Sequence, residues 1–383
     1  MDIEKYRREM PIVDHYTFLD HANMSPSPRQ VLDTVKKVME GKVNHAYLPL
    51  NDLNKQVETT REDVAKLLGA SRKEEIWFMN TASMGLSVTS NMQKWNKNDN
   101  VVLSDLEFPS NVYPWLKLQK KGVEVRYAKS SFDSNGAINV SLNEFEKLID
   151  DRTKVVAVSS VDFQYGYKFN LKRISEIAHE HGALVVVDAC QSVGAMRTRA
   201  KEDDVDIITF GGQKWTLAPS AGGGFFIKNE LISQFEPPNI GWLSVTRSKK
   251  RISESNYKTK YTLREDAMRF AHGHLNYLCI LGFGASAKFL LDAGIGNIEK
   301  RVLNLNRRLM EKLADMDYQI MTPRDDEKRA GIVSFKIDDP EKKIEKLRSK
   351  NILVSLRGPG IRVSPHFYNN DEEIDRLLNE IRE

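Results

Sequence analysis

The sequence predicts an α/β fold: a three-layer αβα sandwich around a mostly parallel seven-stranded sheet, followed by a smaller α+β domain. Three observations predict it. The chain has 383 residues, more than one ordinary core, and a prior of ~150 residues per domain points to two or three. Up to residue 227, short apolar runs alternate with helical patterns, and several runs are continuous, such as VVAV and LVVVD. Continuous runs suit strands buried on both faces. After about residue 260 the pattern changes to long helical stretches with few short strands.

The strand runs are Ile76–Met79, Val101–Ser104, Val123–Tyr127, Lys154–Ser159, Ala183–Asp188, Asp206–Phe210 and Gly223–Ile227. Helical signals lie between them. Thr60–Leu68 runs into Gly69, a C-terminal stop. Ser141 with Glu144 reads as a capping box, and Asn170 opens a helix that Gly182 closes. Glu265–Leu291 reads as one long helix and Ile295–Met316 as a second. Short strands are expected at Ala330–Ile337, Asn351–Ser355 and Ile361–Ser364, with Asp371–Arg382 as a closing helix. The expected division is a large domain over 16–262 and a small one over 263–383, with residues 1–15 packing on the latter.

Composition excludes several classes. Lys plus Arg is 57 and Asp plus Glu 53, a net charge of 57 − 53 = +4. That is too balanced for a dedicated nucleic-acid binder. Hydrophobic residues at 40% and charged residues at 29% fit a soluble globular protein. Two cysteines, Cys190 and Cys279, cannot build a disulfide scaffold or a four-cysteine zinc site, and they suit a reducing cytoplasm. The charged start MDIEKYRREM is no signal peptide, and no apolar run approaches the ~20 residues of a membrane span. The expectation is a cytoplasmic protein with neither nucleic acid nor membrane as partner. Ser248–Tyr261 is polar and basic and reads as an exposed loop.

Three features fall where strand C-termini meet helix N-termini, the active edge of a parallel sheet. NTASMG follows strand Ile76–Met79. Its small residues leave backbone N–H groups free for an anion, or Thr81 or Ser83 simply caps the helix. Asp188 ends an apolar strand, where a carboxylate needs a cation or donors unless it caps the next helix. Lys214 follows a glycine pair at the end of another strand, where a partly buried amine suits Schiff-base chemistry. A lone lysine of this kind is ordinarily a surface residue. Together the three match what pyridoxal phosphate requires: a phosphate cradle, a carboxylate for the pyridine nitrogen and a lysine for the aldehyde.

The blocks FLDHANMSPSP, VDACQSVG, DIITFGGQKW, AGGGFFI and IRVSPHFYNNDEEIDRLL run in order through the chain. In these the sequence resembles the class V aminotransferase family, fold type I pyridoxal-phosphate enzymes that include cysteine desulfurases, kynureninases and isopenicillin N epimerase-like proteins. The resemblance implies Lys214 as the Schiff-base lysine, Asp188 on the pyridine nitrogen and Gln191 on the ring hydroxyl. It implies Ala82 and Ser83 at the phosphate, Gln213 beside it, and Phe108 stacked on the ring. His274 would reach the phosphate of a partner subunit, which implies a homodimer with shared sites. Arg362 would grip the carboxylate of an amino-acid substrate, approached by Asn23. No metal is implied.

The wording is nearest the isopenicillin N epimerase-like branch, so epimerisation or transamination is the expected reaction. A desulfurase or lyase reaction is the alternative. Desulfurases carry a nucleophilic cysteine shortly before the carboxylate-binding arginine, and VSLRGPGIRVSPHFYN has none. Cys190 and Cys279 read as small buried hydrophobes. Asp162 stands where relatives usually have Gln or Asn near the ring. Tyr47, His45 and His21 are candidates for a second acid on the opposite face. Two rivals come from other classes. GFGASA at Gly282–Ala287 fits a dinucleotide-binding pattern, but inside a helical stretch. A catalytically silent binding protein is opposed by Lys214, Asp188, Gln191 and Arg362 occurring together.

Overall fold

A computed structural model describes residues 1–45, 50–246 and 260–382. Tyr47 and residues 248–259 of the basic loop lie outside them.

The seven predicted strands form one sheet: β1 (Ile76–Met79), β2 (Asn100–Ser104), β3 (Glu124–Ala128), β4 (Thr153–Ser159), β5 (Leu184–Asp188), β6 (Ile207–Gly211) and β7 (Gly223–Ile227). Their order is β1-β7-β6-β5-β4-β2-β3. Only β7 runs antiparallel to its neighbours. The continuous apolar runs are explained by two cores, one on each face. Val156, Val185, Val187, Ile208 and Phe210 pack to one side, and Val155, Ala157, Val186, Ile207 and Phe225 to the other. Alternation along each strand thus meets apolar partners at every position, and each such side chain contributes about 1.5–3 kcal/mol.

The main helices are α1 (Arg29–His45), α2 (Leu50–Leu68), α3 (Ala82–Met92), α4 (Leu171–Glu180), α5 (Tyr277–Ala293), α6 (Ile295–Asp315) and α7 (Asp371–Arg382). Asn170 caps α4 by accepting from Arg173 N at 3.1 Å. The expected capping box at Ser141 is only half formed. Ser141 Oγ accepts from Asn143 N, while Glu144 turns outward to Lys147.

The single helix expected over Glu265–Leu291 is replaced by a short turn at Ala267–Phe270, an extended stretch and then α5. The stretch is tethered elsewhere. Arg269 donates to Phe235 O, Ser244 Oγ donates to Ala271 O, and Asn276 caps α5 through Cys279 N. Tertiary bonds therefore override the helical pattern before residue 277. The dinucleotide-like GFGASA lies inside α5, where a Cβ on Gly284 would collide with Thr60 of α2. Its glycine serves close helix packing and belongs to no phosphate loop.

A second sheet joins β8 (Val333–Lys336), β9 (Ser355–Arg357) and β10 (Gly360–Val363) in the order β8-β10-β9, all antiparallel. The N-terminal segment docks on this end of the molecule. Thr17–Phe18 pairs with Ile352–Leu353, Asp20 bridges to Ser364, and Tyr6 packs edge-on against Phe289 and Phe367. Among the described residues no single helix is long and apolar enough to cross a membrane.

Candidate active site

The site is built where β1, β4, β5 and β6 end. Register aligns Ser159 with Asp188, Asp188 with Thr209, and both Met79 and Gly211 with Gly223. Strand ends from distant parts of the chain therefore share one edge.

Lys214 is presented by a tight turn after β6. A Cβ on Gly212 would collide with the carbonyl of Gly222, so only glycine lets the two segments meet. Gly212 O then accepts from Thr216 Oγ1 at 2.6 Å and Ala218 N at 2.9 Å. The Lys214 Nζ lies 5.5 Å from the centre of the Phe108 ring. Phe108 stands edge-on to Phe163 and is 41% exposed, a flat apolar face open beside an amine.

Asp188 is buried at the end of β5, and its Oδ1 accepts from Cys190 N at 2.9 Å. Beside it lies Glu107, which sequence reasoning missed. Glu107 accepts from Ser159 N at 2.8 Å and Asn111 Nδ2 at 2.8 Å, and Ser159 Oγ lies 2.6 Å away. Burial, with a smaller contribution from the Asp188 charge, pushes its carboxyl up to about 8. The only sequence signal was its place in EFPSN, four residues before Asn111.

α3 begins at the same edge. Thr81 is its cap, accepting from Met84 N at 3.1 Å. Thr209 Oγ1 donates to Ala82 O at 3.1 Å, which ties the helix start to β6. Ser83 pairs with Ser110 at 2.8 Å. The cap leaves room for an anion: Thr81 takes one N–H group, and the first turn has others to offer. Gln213 lies against Gly211, and its carbonyl accepts from Ser25 N at 2.8 Å. His274 is exposed, stacks edge-on with Tyr277, and lines a cavity with Asn80, Met84 and Gly222 next to α3.

The small domain and N-terminal segment supply the other wall. Gln191 Nε2 donates to Ala22 O at 3.0 Å, and its Oε1 accepts from Trp215 Nε1 at 2.8 Å. Arg362 is fully buried. It donates to Phe163 O at 2.7 Å and Ser355 Oγ at 3.2 Å, and lies 3.5 Å from Asp20 Oδ1. Among the described residues its Nε has no partner, an orphaned buried donor. Burial lowers its pKa to about 10, against the pull of Asp20. Asn23 reaches the same place, donating to Asp20 Oδ2 at 3.1 Å. Asp20, not singled out in the sequence, is what joins Asn23 to Arg362.

Asp162 accepts from the backbone of Gln164 and Tyr165, holding the turn whose Phe163 carbonyl meets Arg362. Burial raises it to about 6, against those donors and the Arg362 charge. Cys190 Sγ accepts from Gly211 N at 3.3 Å, and burial, aided by the Asp188 charge, pushes its thiol up. It is a poor nucleophile. Cys279 Sγ donates to Ser220 O at the start of α5. His45 is exposed at the end of α1.

His21 is not available as a second acid. It is buried, with Nδ1 2.8 Å from Ser364 O and Nε2 2.6 Å from Tyr368 Oη. A carbonyl only accepts, so Nδ1 carries the proton and Nε2 accepts from the tyrosine. Burial holds His21 well below the usual 6.5, and His366 at about 4. The unfolded chain therefore binds protons that the folded chain refuses. The stability owed to these two neutral rings fades as pH falls from 6.5 toward 4. Histidine-ring NMR is expected to show two imidazoles still neutral at pH near 6; both titrating at 6.5 would contradict it.

An amine beside an open aromatic face, a buried carboxylate, and free N–H groups at a helix start fit a flat, anionic pyridine aldehyde. Comparison with known proteins agrees. The family model described as Aminotransferase class-V matches residues 17–377. A probable cysteine desulfurase of Methanothermobacter thermautotrophicus is 29% identical, over 100% of this chain and 98% of its own. An apo cysteine desulfurase structure from Thermococcus onnurineus superposes with a TM-score of 0.86 at 26% identity, over 98% of this chain and 96% of the other. A mutant of C-DES, solved with glycine covalently linked to its PLP cofactor, superposes with a TM-score of 0.88 at 19% identity. It covers 98% of this chain and 99% of that one, and shares the fold.

Proposed function

The chain belongs to the class-V aminotransferase family, and on that premise we propose that it is a pyridoxal-phosphate enzyme that breaks a Cβ–sulfur bond in a small amino acid. One observation carries the choice of reaction. Of the proton-transfer candidates among the described residues, Lys214 stands beside the open Phe108 face, whereas His21 is sealed by Ser364 and Tyr368 and His45 is exposed at the far end of α1. Epimerisation needs acids on both faces of Cα; elimination needs one base. Relatives and structural neighbours named as cysteine desulfurases support sulfur as the leaving group.

When bound, pyridoxal phosphate supplies an electron sink for the pair left at Cα. The N-terminus of α3 would hold the phosphate, Phe108 would stack on the ring, and Asp188 would keep the pyridine nitrogen protonated. Gln191 retains a second N–H for the ring hydroxyl. Arg362 takes the substrate carboxylate, and its Nε gains the partner it lacks. Lys214 removes the Cα proton. The Cβ–S bond then breaks with its pair on sulfur, which takes the proton carried by Lys214 and leaves as a thiol. For cysteine the sum is cysteine plus water to pyruvate, ammonia and hydrogen sulfide.

The hairpin β9–β10 contains no cysteine, so sulfur leaves without a persulfide on it. The test is to give the loaded enzyme L-cysteine and L-cystine and to assay sulfide, pyruvate and alanine. From cysteine, sulfide with equimolar pyruvate is expected; from cystine, cysteine persulfide with equimolar pyruvate. Alanine with protein-bound sulfur would mean desulfuration, and a sulfur-retaining keto acid would mean transamination. Light scattering on the same preparation is expected to give a dimer. Leu32, Met39 and Val43 form an exposed apolar stripe on α1, and the Phe108 face stays open within one subunit.

A further inference from the structure

A buried polar chain links the small domain to the cofactor side of the cleft. Trp215 follows Lys214 directly and is fully buried. Its carbonyl lies 2.9 Å from His366 Nε2, and its indole N–H donates to Gln191 Oε1 at 2.8 Å. His366 Nδ1 in turn accepts from Phe367 N at 2.8 Å, so Nε2 carries the proton and donates. His366 packs 5.2 Å from His21 and stacks on Tyr368. The neighbouring Ala22 offers its carbonyl to Gln191 and its N–H to Ser364 Oγ at 3.0 Å. Three segments distant in sequence thus close on one indole: the Lys214 turn, residues 19–23 and residues 364–369.

We propose that His366 is a positioning residue of the cofactor site, acting through Trp215 on Lys214 by the backbone and on Gln191 by the indole. Retention of the cofactor then depends on the docking of segment 364–369. This rests on the reading of Lys214 and Gln191 as cofactor ligands. Among the described residues His366 is the one side chain that hydrogen-bonds the Trp215 carbonyl. That carbonyl is walled by Gly194, where any Cβ would collide with it, and the indole ring is slotted against Gly331. Loss of the His366 donor leaves a buried acceptor unsatisfied and the Lys214 turn free to shift.

The experiment compares His366→Leu, His366→Gln and Trp215→Phe with the parent protein, each loaded with pyridoxal phosphate. The readouts are the rate of cofactor release, the absorbance maximum of the bound cofactor, and denaturant unfolding of the unloaded chain. His366→Leu is expected to release cofactor about 5- to 150-fold faster, the loss of one buried hydrogen bond. Its absorbance maximum is expected to move. His366→Gln, whose Nε2 can still donate to the Trp215 carbonyl, restores both. Trp215→Phe keeps the carbonyl bond and deletes only the donor to Gln191, and it is expected to speed release as well. A folded His366→Leu protein with parental release and spectrum overturns the role. If that variant does not fold, parental release and spectrum in Trp215→Phe overturn it instead. A parent chain that takes up no pyridoxal phosphate overturns the proposed function; uptake indifferent to these substitutions overturns the positioning role alone.

Discussion

Replacement of Lys214 by alanine is expected to remove the visible absorbance of the dialysed enzyme and to cut turnover by at least about 10²–10⁴-fold, what a positioned proton-transfer group contributes by itself. The effect is large because the proposed reaction gives Lys214 two duties, holding the cofactor and moving the Cα proton. Its position explains why nothing replaces it. The Gly212 turn places this lysine under Phe108, with Nζ 5.5 Å from the ring centre. Lys214→Arg keeps the charge and is expected to fare no better, since a guanidinium does not deprotonate and cannot serve as the base. Borohydride reduction of the loaded enzyme followed by peptide mapping checks the assignment. Label on any other lysine would sink it.

Arg362→Leu is expected to raise KM for an amino-acid substrate by about 10–150-fold, the value of one charge-assisted hydrogen bond of 1.5–3 kcal/mol. A second cost falls on the fold. Asp20 would be left as a buried carboxylate without its cation, a loss of about 3–5 kcal/mol for a broken buried pair. The two costs separate in a double variant. Asp20→Asn combined with Arg362→Leu is expected to recover much of the stability, read by denaturant unfolding, while KM stays high. Arg362→Lys is expected to fail, because one ammonium cannot meet Phe163 O, Ser355 and Asp20 and still offer a donor to substrate. A parental KM in Arg362→Leu would remove the residue from the substrate site.

Much of the cofactor side was legible because strand ends carry the chemistry. Asp188 and Lys214 each follow an apolar run, and the register of parallel strands brings such positions to one edge. α4 was readable from Asn170, whose cap is local. The stretch Ala271–Asn276 was not, since its helical pattern lost to tethers from Phe235 and Ser244. Glu107, Asp20, Trp215 and His366 were invisible for one shared reason. Each works through a partner 52 to 342 residues away: Glu107 through Ser159, Trp215 and His366 through each other, Asp20 through Arg362. Sequence spacing carries no record of those pairs.

The sequence by itself determined the α/β class, the seven strands and the type of chemistry, because apolar continuity and residue type at strand ends are local properties. Only the tertiary structure decided which groups are open to a substrate. It sealed His21 between Ser364 and Tyr368, bound Cys190 to Gly211, and left the Arg362 Nε without a partner among the described residues. Availability of a side chain depends on what the rest of the chain packs against it, and that is settled only when distant segments meet.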